Sequence, residues 1–352
     1  MNFEDSIFKS TIRAFFKTFG GFIGFFAAIV AFCMLFMFIP KTPDVTGDQS
    51  RPVVQANAEG VKAILPNSSP VILRIPIRGF IGSKTLNTQT ITTILGNSQG
   101  LAIEKGRVKG IILDIQSPGG TVTDSYNIFS AIMNYKKKYN VPVYAYVDGL
   151  CASGAMMIGC SADQIYSSPT GIIGSVGIIF GPLFNISELM ERVGISQMTF
   201  TDGIGKDELS PFRKWEKGEG KTIQTIINYD YKFFVDLVVE HRTRMSKNAL
   251  IHQYGAHVFD PETAFKHGYI DHSGASYNLT LRDLASASKI KDNKYQVLEL
   301  KPEFSLSSLT QGCKSLLNKG SGKIKLELPL SSEFFIDNMG KPLYLYAPYL
   351  SE

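Results

Sequence analysis

Ser153 lies in Gly149-Leu150-Cys151-Ala152-Ser153-Gly154-Ala155-Met156-Met157-Ile158-Gly159-Cys160, just after the apolar run Val141 to Val147. This pattern reads as a buried strand turning into a helix of small and apolar residues. A serine on such a turn sits near unpaired backbone N–H groups, and the helix dipole favours developing negative charge on its Oγ. The small neighbours Gly149, Ala152, Gly154 and Ala155 leave room for a substrate backbone. The same features also suit a serine N-cap on a tightly packed helix. Nucleophilic chemistry therefore needs support from elsewhere, above all a base.

The five histidines, His241, His252, His257, His267 and His272, all follow position 240. His241 and His252 fall in helix-like surface stretches, and His267 precedes Gly268 in a last helical turn. None shows a catalytic pattern. Lys206 is the other base, in the loop sequence Gly203-Ile204-Gly205-Lys206-Asp207-Glu208-Leu209-Ser210-Pro211. An exposed lysine of pKa ~10.4 is no base at neutral pH. Desolvation disfavours the ammonium, and the neutral amine could take the Ser153 proton. The alternative is a surface lysine paired with Asp207 or Glu208. An acyl-transfer oxyanion also needs backbone donors, which Gly119 and Gly120 could supply after Ser117-Pro118. The alternative for that pair is a plain strand-to-helix turn.

The elements that would position these residues alternate. Strands are expected at Val71 to Ile75, Gly110 to Ile115, Val141 to Val147, Asp163 to Tyr166, Ile172 to Ile179 and Met198 to Phe200. Helices are expected from Val122 through Met133, around Glu188 to Met190, along Ile223, Ile227, Phe234, Leu237 and His241, and between Asp260 and Gly268. This order predicts an α/β fold with a largely parallel sheet.

Residues 20–39 carry no charge and match the length of a bilayer span, ended by Pro40. No A-x-A-like cleavage site directly follows the apolar run, so an uncleaved signal anchor is expected. Residues 1–19 carry Phe3, Ile7, Phe8, Ile12, Phe15 and Phe19 at helical spacing among Lys9, Arg13 and Lys17, as in an amphipathic helix on a membrane surface. The basic excess before the span places the N-terminus in the cytoplasm and the bulk of the chain outside, in the periplasm of a bacterial inner-membrane protein. Residues 40–69 read as a tether, 70–275 as the folded domain and 276–352 as an extension without an assigned role. Within that extension Lys323 to Leu328 and Leu343 to Tyr346 are strand-like.

The net charge of +5 is mild and spread out, and Lys136-Lys137-Lys138 reads as the wet end of a helix rather than a nucleic-acid patch. Cys33, Cys151, Cys160 and Cys313 have neither disulfide-framework nor metal-site spacing. Cys151 and Cys160 are expected as small core-fillers. Neither a metal nor a cofactor is expected.

Taken together, Ser117-Pro118-Gly119-Gly120, Ala152-Ser153-Gly154-Ala155, Gly174-Ser175-Val176-Gly177 and the Gly203 to Arg213 lysine motif resemble the signal peptide peptidase A family. This is the serine-lysine peptidase group (S49) that also contains protease IV and the SohB-like proteins. The resemblance runs from about Val71 to Ser273. It implies a ClpP/crotonase-type core, Ser153 as nucleophile and Lys206 as general base. It further implies an oxyanion amide from Gly119 or Gly120, with Ser175 positioning the Lys206 amine. It also implies ring-like homo-oligomers and hydrophobic peptide substrates such as spent signal peptides. Two rivals remain from the residues themselves: a crotonase-type acyl-CoA enzyme and an inactive membrane scaffold of the same fold.

Overall fold

A computed structural model of the protein describes residues 12–21, 24, 50–62, 64–291 and 294–302, with the backbone of 343–345. The chain divides into two units, Met1–Gly47 and Asp48–Glu352. In the first, residues 12–21 are helical, and Ile12, Phe15, Phe16 and Phe19 are exposed. The span expected at 20–39 lies almost wholly outside the described residues, as does the strand expected at 323–328. Among the described residues no helix is long and apolar enough to cross a membrane.

The second unit is built on a mixed, mostly parallel sheet. In chain order its strands are β1 (Ser50–Gln55), β2 (Val71–Arg78), β3 (Val108–Ser117), β5 (Val143–Ala152), β6 (Gln164–Ser167), β7 (Ile172–Gly174), β8 (Val258–Phe259) and β9 (Gln296–Pro302). Their spatial order is β1-β9-β2-β3-β5-β7-β8, with β6 beside β5. The outer pairs β1·β9 and β7·β8 are antiparallel; β9·β2, β2·β3, β3·β5, β5·β6 and β5·β7 are parallel. A parallel strand covered on both faces reads as a continuous apolar run rather than an alternation. Ile111, Ile112, Leu113 and Ile115 of β3 fit this, each with no exposed surface. Each such side chain contributes roughly 1.5–3 kcal/mol by burial.

Helix α1 (Thr88–Asn97) precedes β3, and a short strand β4 (Gly119–Thr121) follows it, leading directly into helix α2 (Val122–Tyr139). Thr121 caps α2 by accepting the Asp124 amide at 3.2 Å, and Asn140 ends it at φ 50°. Lys136, Lys137 and Lys138 occupy its last turn, where cations complement the dipole. After β5 comes α3 (Gly154–Gly159), then α4 (Ser187–Arg192) and the long α5 (Lys221–His241). The short α6 (Lys247–Ala249) follows, then α7 (Pro261–His267), which has the expected Asp260 cap and a left-handed Gly268 at its end.

Four expectations change. Ser50–Gln55, assigned to the tether, is a strand of the main sheet paired with β9. Residues 276–291 and 294–302, assigned to the extension, belong to the folded unit. There α8 (Tyr277–Ala287) buries Thr280, Leu281, Leu284 and Ala285. The neighbouring strand β9 is covered between β1 and β2. Both segments have polar averages because their apolar residues are few, and their partners lie far away in sequence. Met198 to Phe200 forms no strand; Met198 is 79% and Phe200 90% exposed, since strand-forming side chains need a neighbour to pair with. The strand expected across Ile172 to Ile179 stops at Gly174, because Ser175 turns to φ 53°.

The strand-like Leu343 to Tyr346 appears as β10 (Leu343–Leu345), antiparallel to β4 with Tyr344 opposite Gly120. The two form a sheet of their own.

Candidate active site

The carboxyl ends of β3, β5 and β7 converge. Ser117 pairs with Cys151, and Ala152 pairs with Gly174. Ser153 follows at φ 56°, ψ −119°, and its N–H donates to the Gly174 carbonyl at 2.9 Å. It makes no side-chain capping bond to α3. Its Oγ instead donates to the Gly177 carbonyl at 3.4 Å, a long and weak bond that leaves the hydroxyl available. The N-cap alternative for Ser153 therefore does not describe this residue.

Five described non-glycine residues have positive φ: Asn140, Ser153, Ser175, Leu209 and Lys289. Asn140 and Lys289 end helices, where that conformation is ordinary. Leu209 lies in the Lys206 loop. The remaining two are the serines singled out by sequence. Ser175, buried beside Gly174, donates its N–H to the His257 carbonyl at 2.7 Å. Such conformations cost about 1–3 kcal/mol each and persist where the surroundings enforce them.

Gly119 and Gly120 do not offer equivalent amides. The Gly119 N–H donates to Ser117 Oγ at 3.2 Å, and that hydroxyl donates onward to the Gly79 carbonyl at 2.6 Å. On one side of β4, Ile81 N–H donates to the Gly119 carbonyl and Thr121 N–H to the Ile81 carbonyl, both at 3.0 Å. Strand alternation turns the N–H and C=O of Gly120 the other way. Gly120 must be glycine: a Cβ there would lie 1.9 Å from the Ile81 oxygen. This close approach holds β4 against the segment that follows β2.

Lys206 sits on an exposed arm. Between Gly177 and Gly220, Phe184, Leu189, Val193, Met198, Phe200 and Ile204 are at least 60% exposed. The carboxylates next to Lys206 are engaged elsewhere. Asp207 accepts from Arg213 Nε at 2.7 Å, and Glu208 accepts the Gly220 amide at 2.6 Å. Arg213 also donates to the Asp207 carbonyl at 2.9 Å and pairs with Glu219 at 2.6 Å. Glu219 in turn accepts the Leu209 amide at 3.1 Å. The Arg213 bond holds the Asp207 carboxyl below the usual carboxylate range. Among the described residues the Lys206 ammonium has no hydrogen-bond or ion-pair partner, and no bond joins it to Ser153 or Ser175. The structure thus sets Ser153 against Gly174, the residue before Ser175, holds Gly120 against Ile81 in the short strand that follows β3, and leaves Lys206 on the arm, unpaired among the described residues.

None of the described histidine bonds reaches Ser153. His241 meets the edge of Phe129 at 5.1 Å, His267 stacks on Tyr254 at 3.9 Å, and His272 stacks on Tyr166 at 4.1 Å. Cys151 and Cys160 are buried free thiols whose burial pushes both upward, Cys160 to about 12, so they act as core-fillers. Sequence reasoning missed Ser117, Arg213 and the carbonyls of Gly177 and His257. Arg213 stood in the lysine motif without a role; backbone carbonyls leave no signal in residue type.

Residues 134–291 match the model of peptidase family S49, and residues 54–170 match that of Clp protease. The chain is 30% identical over 234 residues to "Putative signal peptide peptidase SppA" of Enterococcus faecium, covering 64% of this chain and 66% of that protein. It is 36% identical over 202 residues to a "Putative protease" of Methanocaldococcus jannaschii, covering 57% and 64% respectively. It is 28% identical over 188 residues to Protease 4 of Salmonella typhi, covering 53% of this chain and 29% of that protein. The chain thus spans about two thirds of the length of the first two relatives. The chain belongs to peptidase family S49.

Proposed function

We propose that this protein is a membrane-anchored serine endopeptidase in which Ser153 is the nucleophile and Lys206 the general base. The observation that carries the reading is the backbone of Ser153. A serine at φ 56° that makes no capping bond has no structural use for that strain, whereas a nucleophile must present its Oγ beyond the strand ends. Gly120 supplies an outward N–H for the oxyanion, and Ser175 orients the amine.

Lys206 removes the Ser153 proton as Oγ attacks a peptide carbonyl. The tetrahedral oxyanion is held by the Gly120 amide, and Lys206 returns the proton to the leaving amine. Water, deprotonated by the same amine, then hydrolyses the acyl-enzyme. The base must be uncharged, so it must lose water. The apolar side chains on the arm support an oligomer in which another copy covers the arm and desolvates Lys206. Hydrophobic peptides, including cleaved signal peptides, are the substrates this reading assigns. The ClpP/crotonase reading of the core is supported by the match over residues 54–170. The uncharged stretch at 20–39 supports the anchor, with the domain in the periplasm.

The test is hydrolysis of apolar peptides by the full chain beside Ser153→Ala and Lys206→Ala. Both variants should lose activity, and the wild-type rate should rise with pH. Full activity in Lys206→Ala would remove that residue as the base.

A further inference from the structure

We propose that the groove at the amino ends of β2, β3 and β5 binds a ligand carrying closely spaced phosphate groups. Ser153 follows the other end of β5, and β3 alone is roughly 30 Å long, so the groove is a separate site. The inference does not depend on the peptidase reading.

Two adjoining hollows of about 410 and 660 Å³ share Gly106, Lys109, Ser288 and Lys289. The turn before β3, the segment joining α2 to β5 and the end of α8 form their walls. Six cations line them, Lys105, Arg107, Lys109, Lys136, Lys289 and Lys291, against two carboxylates, Glu104 and Asp163. That excess of four compares with +5 for the whole chain. The fold thus gathers in one place a charge that the sequence spreads from position 105 to position 291. Asp163 is already engaged, by Lys136 Nζ at 2.6 Å and the Val143 amide at 2.9 Å. The ammonium groups of Lys105, Lys109, Lys289 and Lys291 have no partner among the described residues.

Lys289 is the residue that helix packing does not explain. The Lys289 N–H donates to the Ser286 carbonyl at 2.9 Å and the Ile290 N–H to the Ala285 carbonyl at 3.0 Å, a helix end that places a left-handed residue at 289. Glycine is usual there, as Gly268 is after α7, yet a lysine holds φ 58°. A cation could complement the helix end from the exposed positions Ser286 or Ala287 without that strain. Beside it Ser288, which lines both hollows, has a buried hydroxyl with no partner among the described residues. Buried polar groups are normally paired, and a phosphate oxygen suits this one.

The cations select the anion. The arginine fork matches planar carboxylates, whereas lysine binds phosphate as a point charge. Arg107 is tied down, its Nε donating to the Ser69 carbonyl at 3.0 Å and its Nη2 to Gln296 Oε1 at 3.2 Å. The cations left free are lysines. Single-stranded nucleic acid would also need open aromatic faces for its bases. Tyr139 packs on Tyr135 at 4.6 Å with Lys138 over its ring, and Tyr144 stacks on Tyr166 at 5.7 Å. The groove therefore meets phosphates without reading bases.

Lys289→Gly tests this without endangering the fold, because glycine is at ease at φ 58°. Binding of inorganic tripolyphosphate is measured by calorimetry on the full chain held in phosphatidylcholine nanodiscs. Lys289→Gly should weaken it about fivefold, and the double variant with Lys109→Gln about 25-fold, with no fall in melting point. Lys266→Gln removes an exposed lysine outside the groove and should bind as wild type. The same nanodiscs are offered phosphatidylglycerol vesicles, with phosphatidylcholine vesicles as the blank. Capture that the double variant loses would make a lipid surface the source of the phosphates; tripolyphosphate binding without capture would make the source a soluble ligand. Absence of both binding events in wild type, or an equal loss in Lys266→Gln, would overturn the proposal. So would poly-glutamate that binds as tightly as tripolyphosphate.

Discussion

Asp207 follows Lys206 directly in sequence, yet its carboxylate accepts from Arg213 Nε, 2.7 Å away, and not from the lysine. Arg213 thereby keeps the lysine free. The guanidinium fork takes the Asp207 side chain, the Asp207 carbonyl and Glu219 together, which a lysine's point charge could not do. Arg213→Ala releases a carboxylate beside the Lys206 amine, and an adjacent negative charge favours the ammonium. The expected result is a rate-versus-pH profile displaced to higher pH, with lower activity near neutrality and a smaller loss at alkaline pH. Arg213→Lys should displace the profile in the same direction. An unmoved profile with a uniformly lower rate would mean that Arg213 only shapes the loop.

Ser153 stores strain that a variant can release. At φ 56°, ψ −119°, glycine is more at ease than any residue with a Cβ. Ser153→Ala and Ser153→Gly should both abolish peptide hydrolysis. Thermal melts should separate them, with Ser153→Gly the more stable by on the order of 1 kcal/mol. Equal melting points would show that the backbone there is unstrained.

Gly120 and Gly110 answer differently to an added methyl. A Cβ on Gly120 would sit 1.9 Å from the Ile81 oxygen and 2.6 Å from its carbon, both rigid backbone atoms. A Cβ on Gly110 would meet the Ser288 hydroxyl at 2.5 Å and the Leu284 side chain beyond it, which can turn aside. Gly120→Ala should therefore eliminate activity and cost stability at the upper end of about 1–3 kcal/mol. Gly110→Ala should cost less and leave the rate near wild type. Denaturant melts with parallel rate measurements decide between these outcomes.

Two half-buried imidazoles contribute to an acid limit on folding. Burial lowers the proton affinity of His241, packed against Phe129, and of His267, stacked on Tyr254. Each is held neutral in the native protein, while the unfolded chain binds the proton near its ordinary pKa of ~6.5. Stability should thus fall as pH drops below about 6.5, and level off once the folded-state values are passed. His267→Phe keeps the stacking surface and should flatten the fall without loss of peptidase activity. An unchanged acid limb in the His241→Phe, His267→Phe double variant would assign it to the carboxylates.

The arm that carries Lys206 makes a separate prediction. Ile204 is wholly exposed and Phe200 nearly so, on the same arm as Lys206, which in the proposed mechanism must lose water to act. Ile204→Glu should lower both assembly and activity, while the melting point of the separated subunit stays as in wild type. Sedimentation at several concentrations, read beside specific activity, checks that the two decline together.

The sequence by itself determined the alternation of strands and helices from β2 to β7 and the turn that bears Ser153. It also determined the uncharged stretch at 20–39 and the family resemblance that the S49 match bears out. These are local properties: a 3.6-residue or continuous apolar period, a capping residue, a glycine after a helix. Only the tertiary structure decided that the two adjacent glycine amides face different partners. Ser117 takes one of them, and Ile81 fixes the direction of the other. It also decided that Arg213 leaves Lys206 unpaired, that Ser50–Gln55 and Gln296–Pro302 join one sheet, and that Tyr344 faces Gly120. Each of these depends on which backbone edge remains open after distant segments have paired. No window of neighbouring residues encodes that choice, because the competing partners are separated by up to hundreds of positions along the chain.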